Sequence, residues 1–357
     1  MRSRLLPLLL IVTLAPTSVL FACLWDQDTL RMELVDFPDT LELITGKFRR
    51  HSDDYYRWRI EDRTAQLPAD PSGWTAAHHS LLDDLAVAHD KLGDSKRAIE
   101  IADRQLEISP DRYESLANRG TFYLHDDDLV SGLRDLHRAI EVNPDAHFGR
   151  EIVQIRLVEY LIAERAEGRG QLPLTEPLYR RATPHGFDAF RETLQPPLSR
   201  ADALTGLLGM LRFGNHDSPL LLDVVAELLY LEDHKRLATR AYLKASYETK
   251  DEALAKKYRA HATEALSMQT PAPGDYTDLP LADLERKFQK EIQAADAFFS
   301  GLTENERRWI AAGEDVDARF AETYFGAAPP AKSSGAIGSL FLALGGLAVV
   351  GFLLRKG

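Results

Sequence analysis

Two prolines constrain this chain more than any other feature. Pro110 and Pro144 stand 34 residues apart, and each ends a matching phrase, Leu106-Glu107-Ile108-Ser109-Pro110 and Ile140-Glu141-Val142-Asn143-Pro144. Proline lacks a backbone donor and clashes with the preceding helical turn, so each phrase reads as the end of an amphipathic helix and the start of a new unit. Apolar residues recur at helical spacing through most of the chain, with no convincing run of alternating β-branched residues, and the spacing predicts an all-α protein. A period of this length belongs to a helix-turn-helix unit that cannot close its own core and must stack on its neighbours.

Aligned on the prolines, the first unit runs from His79 to Arg112 and carries Leu82, Leu85, Ala86, Gly93, Ala98, Ala102 and Pro110. The second, Tyr113 to Ala146, supplies Leu116, Gly120, Tyr123, Gly132, Ala139 and Pro144, with Asp127 where glycine usually turns the chain. Small residues at these places let the two helices of a unit cross closely, while Leu and Tyr fill the layer shared with the next unit. This pattern resembles the tetratricopeptide repeat, and 79–146 are read as two such units. A diverged copy at Pro219 to Lys250 keeps Leu222, Val225, Ala226, Leu229, Ala238, Tyr242 and Ala245 at the same internal spacing. The resemblance implies an α-solenoid with a concave groove, lined mainly by first helices, that holds a peptide or a partner helix; it implies no chemistry.

The other segments fall around this array. Residues 23–78 read as an N-terminal cap, aromatic and basic, with Trp25, Phe37, Phe48, Tyr55, Tyr56 and Trp58 among Lys47, Arg49, Arg50, Arg57, Arg59 and Arg63. Either its aromatics cover the open end of the array and its arginines pair with the acidic remainder, or it is a second recognition surface. Residues 147–168 form a capping or partial-repeat helix, and 169–200 a connection holding Pro173, Pro177, Pro184, Pro196 and Pro197. Diverged repeat-like helices follow over 201–268. Then come C-terminal helices over 269–325 and a linker over 326–334 with nothing to bury.

On the expected groove, the first unit presents Asp83, Val87 and Asp90 and the second Glu114, Asn118 and Thr121. In the family's clamp subtype, lysines and asparagines grip a partner's terminal carboxylate; here only Asn118 suits that role. An acidic groove attracts a basic or amphipathic segment, so the expected partner is a protein offering Lys and Arg, weighed against ordinary solvated helix faces.

The ends speak to compartment. Arg2 and Arg4, an apolar run from Leu5 to Leu14 and small residues before Cys23 fit an export signal over 1–22. Leu20-Phe21-Ala22-Cys23 resembles the lipobox of bacterial lipoproteins, which makes Cys23 a lipidation candidate, against a simple buried cysteine. Gly335 to Leu354 carries no charge across 20 residues, enough for a transmembrane helix, and Arg355-Lys356 places the short tail 355–357 in the cytoplasm. The expected location is therefore a bacterial inner membrane, single-pass, with the repeats on the periplasmic side. A glycine-rich tail of this kind also looks like a bacterial C-terminal sorting signal.

Chemistry is thinly represented. One cysteine in 357 residues excludes an intrachain disulfide or a thiolate cluster, and a formal net charge of −12 argues against nucleic acid. No nucleophile elbow, phosphate loop, dinucleotide fingerprint or His-Glu-x-x-His helix occurs. Asp26 with Asp28, His78 with His79, and His125 to Asp128 lack convincing ligand spacing. The reading is a membrane-anchored interaction scaffold with no catalytic residues, cofactor or metal. The alternative is a cell-envelope enzyme with its site in the non-repeat helices between Asp188 and Ser267.

Overall fold

In a computed structural model of the chain, the structure describes residues 38–144, 150–167, 186–195, 197–267 and 281–326, and it is all-α. The helices are α1 (Thr40–Thr45), α2 (Asp53–Gln66), α3 (His79–Lys91), α4 (Ser95–Ile108), α5 (Tyr113–His125), α6 (Leu129–Val142) and α7 (Arg150–Ala166). They continue with α8 (Gly186–Thr193), α9 (Arg200–Phe213), α10 (Pro219–Leu231), α11 (Lys235–Glu248), α12 (Glu252–Ser267), α13 (Leu281–Ala311) and α14 (Val316–Phe325). Consecutive helices pack antiparallel from α2 through α7, then α9 through α12, as in a repeat-like array. Residues 1–22, read as an export signal, Cys23, Asp26, Asp28, most of the stretch read as a linker and the expected transmembrane stretch Gly335–Leu354 lie outside the described residues. Among the described residues no helix is long and apolar enough to cross a membrane.

Local chemistry at the turns repeats as the helices do. Gly93, Asp127 and Asp233, which follow α3, α5 and α10, all adopt the left-handed conformation with φ of 84°, 65° and 65°. In each case the next residue's N–H closes the helix end, Asp94 to His89 O, Asp128 to Tyr123 O and His234 to Leu229 O, at 2.8–2.9 Å. Asp94 and Asp128 then cap α4 and α6 by accepting from the N–H of Arg97 and Ser131. An L-residue in that conformation is strained where glycine is not. Asp127→Gly and Asp233→Gly are each expected to raise stability by about 0.5 kcal/mol, read as a higher urea midpoint, a gain offset in part by loss of the exposed ion pairs to Arg165 and Lys235.

Small residues set the helix crossings. A Cβ at Gly120 would lie 2.9 Å from Leu136 Cγ, and one at Gly132 only 2.4 Å from Leu124 Cδ2 and 2.9 Å from Gly120 O. Ala86 with Ala98 in α3–α4, and Ala226 with Ala238 in α10–α11, hold the corresponding places and are wholly buried. Between these pairs α7 packs on both α6 and α9, and a Cβ at Gly206 of α9 would meet Val153 of α7 at 2.5 Å. α7 and α9 thus form a further pair, with α8 docked beside α7 and α10.

The array is closed by its last long helix. α13, 31 residues and about 46 Å long at 1.5 Å per residue, packs its first half on α11 and α12 and its second half on α2. Phe288 joins the large core of the C-terminal helices, whereas Leu302 and Trp309 join a separate aromatic cluster with Tyr55, Phe213, Val316 and Phe320. Short α1 sits inside this closure, touching α9, α11 and α13. The N-terminal aromatics and arginines are used here. His51 stacks on Tyr55 at 3.6 Å, Arg63 pairs with Asp84 and Asp317, and Arg59 reaches Asp84 at 3.5 Å.

Candidate functional site: a basic cavity inside the closed array

Where α1, α2, α3, α9 and α13 converge they leave a cavity of about 370 Å³. Its wall is built from the α1–α2 connection (Phe48 to His51), Asp53 and Tyr56 of α2, Val87, Asp90 and Lys91 of α3, and His125 of α5. The far side is Arg212 and Phe213 of α9, the loop Gly214-Asn215-His216-Asp217 and Phe299 of α13.

Each polar group is positioned by a local cause. Gly46 ends α1 in the left-handed conformation, φ 79°, and a Cβ there would overlap the His216 ring at 2.6 Å, so glycine both turns the chain and admits the histidine. Lys91 Nζ donates to the carbonyls of Phe213 and Gly214 at 2.9 and 2.7 Å, a cation at the carbonyl end of α9 where the helix dipole favours one. Arg50 donates to Gly46 O, and its guanidinium lies 3.8 Å from the Phe299 ring centre. Asp217 is paired with Lys244 at 2.9 Å.

Burial sets the protonation of this wall. It lowers Arg50 to about 10, against the opposing charges of Asp217 and Asp296, so Arg50 stays cationic at neutral pH. It drives His216 down to about 3 despite Asp217 alongside, so the folded protein keeps this imidazole neutral. From pH 6.5 down to about 3 the unfolded chain takes up a proton that the folded chain refuses. Stability therefore falls as pH is lowered through that window, by up to roughly 1.4 kcal/mol per pH unit. His216→Gln is expected to flatten this dependence. Urea unfolding of both proteins at pH 7.5 and pH 5 measures it, and parallel losses would refute the assignment.

Compared with family models, curated proteins and solved structures, the chain matches none. Its site must be read from its own geometry.

The residues expected on an open groove are mostly interior. Asp83 is 3% exposed and bound by Arg112 through both terminal nitrogens, at 2.7 and 2.6 Å, and by Gln105 at 2.8 Å. Burial pushes its carboxyl up to about 6, with Arg112 and Gln105 pulling the other way. Asp90 accepts from Ser95 Oγ and lies 2.7 Å from His125 Nδ1. Asn118 and Thr121 are buried in α5, where Gln154 donates to Thr121, and Glu114 is half-buried 3.5 Å from Arg112. Only Val87 and Asp90 of the six reach the cavity. Asp83 and Asp90 are thus engaged within the array, Asp83 by Arg112 and Gln105 and Asp90 by Ser95 and by His125 of the next unit.

The weak metal candidates have structural roles. His78 Nδ1 accepts from the Thr75 N–H, His79 meets Ser109 Oγ at 2.9 Å, and Asp128 caps α6. Among the described residues no group of three or more His, Cys, Asp or Glu is placed to hold a metal ion. Lys91, Arg212 and His216 were not singled out by sequence reasoning, whereas Arg49 and Arg50 belong to the segment read as a cap or a second recognition surface. The available signals were the basic stretch at 47–63 and the turn composition of Gly214-Asn215-His216-Asp217.

Proposed function

We propose that this chain is a tetratricopeptide-type helical-repeat scaffold that binds a partner protein. In this reading Gly335–Leu354 anchors it in a bacterial inner membrane with the repeats on the extracytoplasmic side. The observation that carries the scaffold reading is the correspondence between α3–α4 and α5–α6. Left-handed turn, aspartate cap and small-residue crossing recur at 34-residue spacing, Gly93 with Asp127, Asp94 with Asp128 and Ala98 with Gly132. Stacked units of this kind present long surfaces at no catalytic cost, and family members use them to hold other proteins. The first helices of both units, α3 and α5, are largely buried against their neighbours in the array, so this reading puts the partner on the outer faces and the cavity mouth.

Crosslinking and affinity capture of the full-length protein from native membranes tests the reading. A specific envelope protein is expected with the wild type and less of it with Gly132→Val, whose α5–α6 crossing is overpacked. Absence of any specific partner with the wild type would overturn the scaffold reading.

A further inference from the structure

The long helix α13 has two separate attachments. Its first part is held on α11 and α12, where Phe288 is wholly buried, Arg259 donates to both oxygens of Glu285 at 2.7 and 2.8 Å, and Arg240 donates to both of Glu291 at 2.7 and 3.0 Å. Its last part is held on α2. There Leu302 and Trp309 join the aromatic cluster around Tyr55, and Glu306, wholly buried, accepts from the Ser52 N–H at 3.0 Å and lies 2.6 Å from His51 Nδ1. Between the two attachments the helix is bare: from Asp296 to Gly301 every residue except Phe299 is exposed.

Ser300-Gly301 stands at that gap. Glycine weakens a helix interior, and elsewhere in this chain a helical glycine is explained by a close crossing, as at Gly120, Gly132 and Gly206. Gly301 has no such reason, since a Cβ there would meet nothing within 4 Å. A Gly/Ser pair is also one of the few places where long helices bend sharply.

The part beyond the pair is built to move as one piece. Residues 302–325 keep contacts of their own, with Asn305 Nδ2 donating to Tyr324 Oη at 2.6 Å and the Trp309 ring packed edge-on against Tyr324. Their hold on α2 is strongly polar: beside Glu306, Asp317 pairs with Arg63 and accepts from Tyr55 at 2.6 Å, and Arg307 pairs with Asp54. A carboxylate regains its hydration on leaving such a contact, so a charged interface opens at lower cost than an apolar one of the same size.

We infer that Ser300-Gly301 is a hinge and that 302–325 swings on it as a strap, opening one wall of the cavity. That wall is tied to the strap directly. His51 is held by Glu306 and lies 4.2 Å from the Phe320 ring, and Arg49 lies 5.5 Å from the Phe325 ring centre. The hinge is independent of the scaffold reading, since it needs no partner.

The test is cysteine labelling of the full chain in detergent. Val316→Cys probes a wholly buried position on the strap and Ala295→Cys a position 1% exposed on the fixed part; maleimide uptake is read peptide by peptide by mass spectrometry, which keeps Cys23 separate. Val316→Cys is expected to label at a measurable rate. Adding Gly301→Ala should slow it about fivefold, the helix-propensity difference between the two residues, and leave Ala295→Cys unchanged. Adding Glu306→Gln should speed Val316→Cys about tenfold or more, through loss of hydrogen bonds to a charged group. If circular dichroism shows that Glu306→Gln is unfolded, Gly301→Ala alone decides, because its methyl group meets nothing. A Val316→Cys rate unmoved by Gly301→Ala overturns the hinge, as does equal slowing at both positions, which would be a gain in global stability. Complete protection of Val316→Cys in every folded variant overturns it too.

Discussion

Replacing Gly132 by valine is expected to cost about 3 kcal/mol, the upper end for overpacking a close helix crossing. The argument is steric. An added Cβ already falls 2.4 Å from Leu124 Cδ2 and 2.8 Å from Leu124 Cγ, and a leucine so packed against an opposing helix has little room to move. It also falls 2.9 Å from the carbonyl oxygen of Gly120, which is backbone and can yield only by separating α5 from α6. Alanine would gain about 1 kcal/mol in helix propensity over glycine, yet overpacking at this contact costs about 1–3 kcal/mol. Gly132→Ala should therefore be mildly destabilising. Valine adds two further methyl groups to the same contact. Urea denaturation followed by far-ultraviolet dichroism measures both variants; a Gly132→Val protein as stable as wild type would mean that the α5–α6 crossing is wrongly placed.

The second large effect is expected at the closure. Asp84→Ala should cost about 3–5 kcal/mol, the range for breaking a buried ion pair by removing one partner. Asp84 is 2% exposed, accepts from Arg63 Nε at 2.9 Å and lies 3.5 Å from Arg59, which is itself 1% exposed. Asp317 of α14 completes the cluster, pairing with Arg63 and accepting from Tyr55 at 2.6 Å. Burial would raise the Asp317 carboxyl, but Arg59 and Arg63 outweigh it and hold it at about 2. Below the ordinary carboxylate value this stabilisation is lost as pH falls toward 2. Without Asp84 two interior guanidiniums share what remains, and the interface between α2–α3 and α13–α14 is weakened. Hydrogen exchange should then show α13 and α14 opening ahead of α5–α6. Uniform loss of protection would instead mean that the closure and the array unfold as one.

Charge reversal at Asp83 and Asp90, the natural test of an acidic groove, is answered by the same physics. Both carboxylates are buried partners of cations or hydroxyls, so a lysine at either position reports on folding before it reports on binding.

How much could be read in advance differs between the array and the site. The 34-residue spacing, the small residues at the crossings and the odd aspartate at 127 were all visible, because each is a local requirement repeated at fixed distance. The pairing of α7 with α9 was harder, since an insertion separates them and the only marks of it are Gly206 and Gly209, where added Cβ atoms would meet Val153 and Arg150. The burial of Asp83, Asn118 and Thr121 was not legible. Polar residues on a first helix look the same in sequence whether solvent or a neighbouring helix lies above them.

The amino-acid sequence alone determined the helical class, the unit length and the placing of turns, because hydrogen-bond geometry, proline sterics and close crossings act within a few tens of residues. The tertiary structure decided that the array is closed. His51 meets Glu306 at 2.6 Å across 255 residues of chain, and Arg50, Arg212 and His216 come together from three separate elements. Contacts between distant segments depend on how each pair of units is rotated on the next, and small rotations add along the stack. No local pattern records their sum, and that sum sets the charge and shape of the cavity.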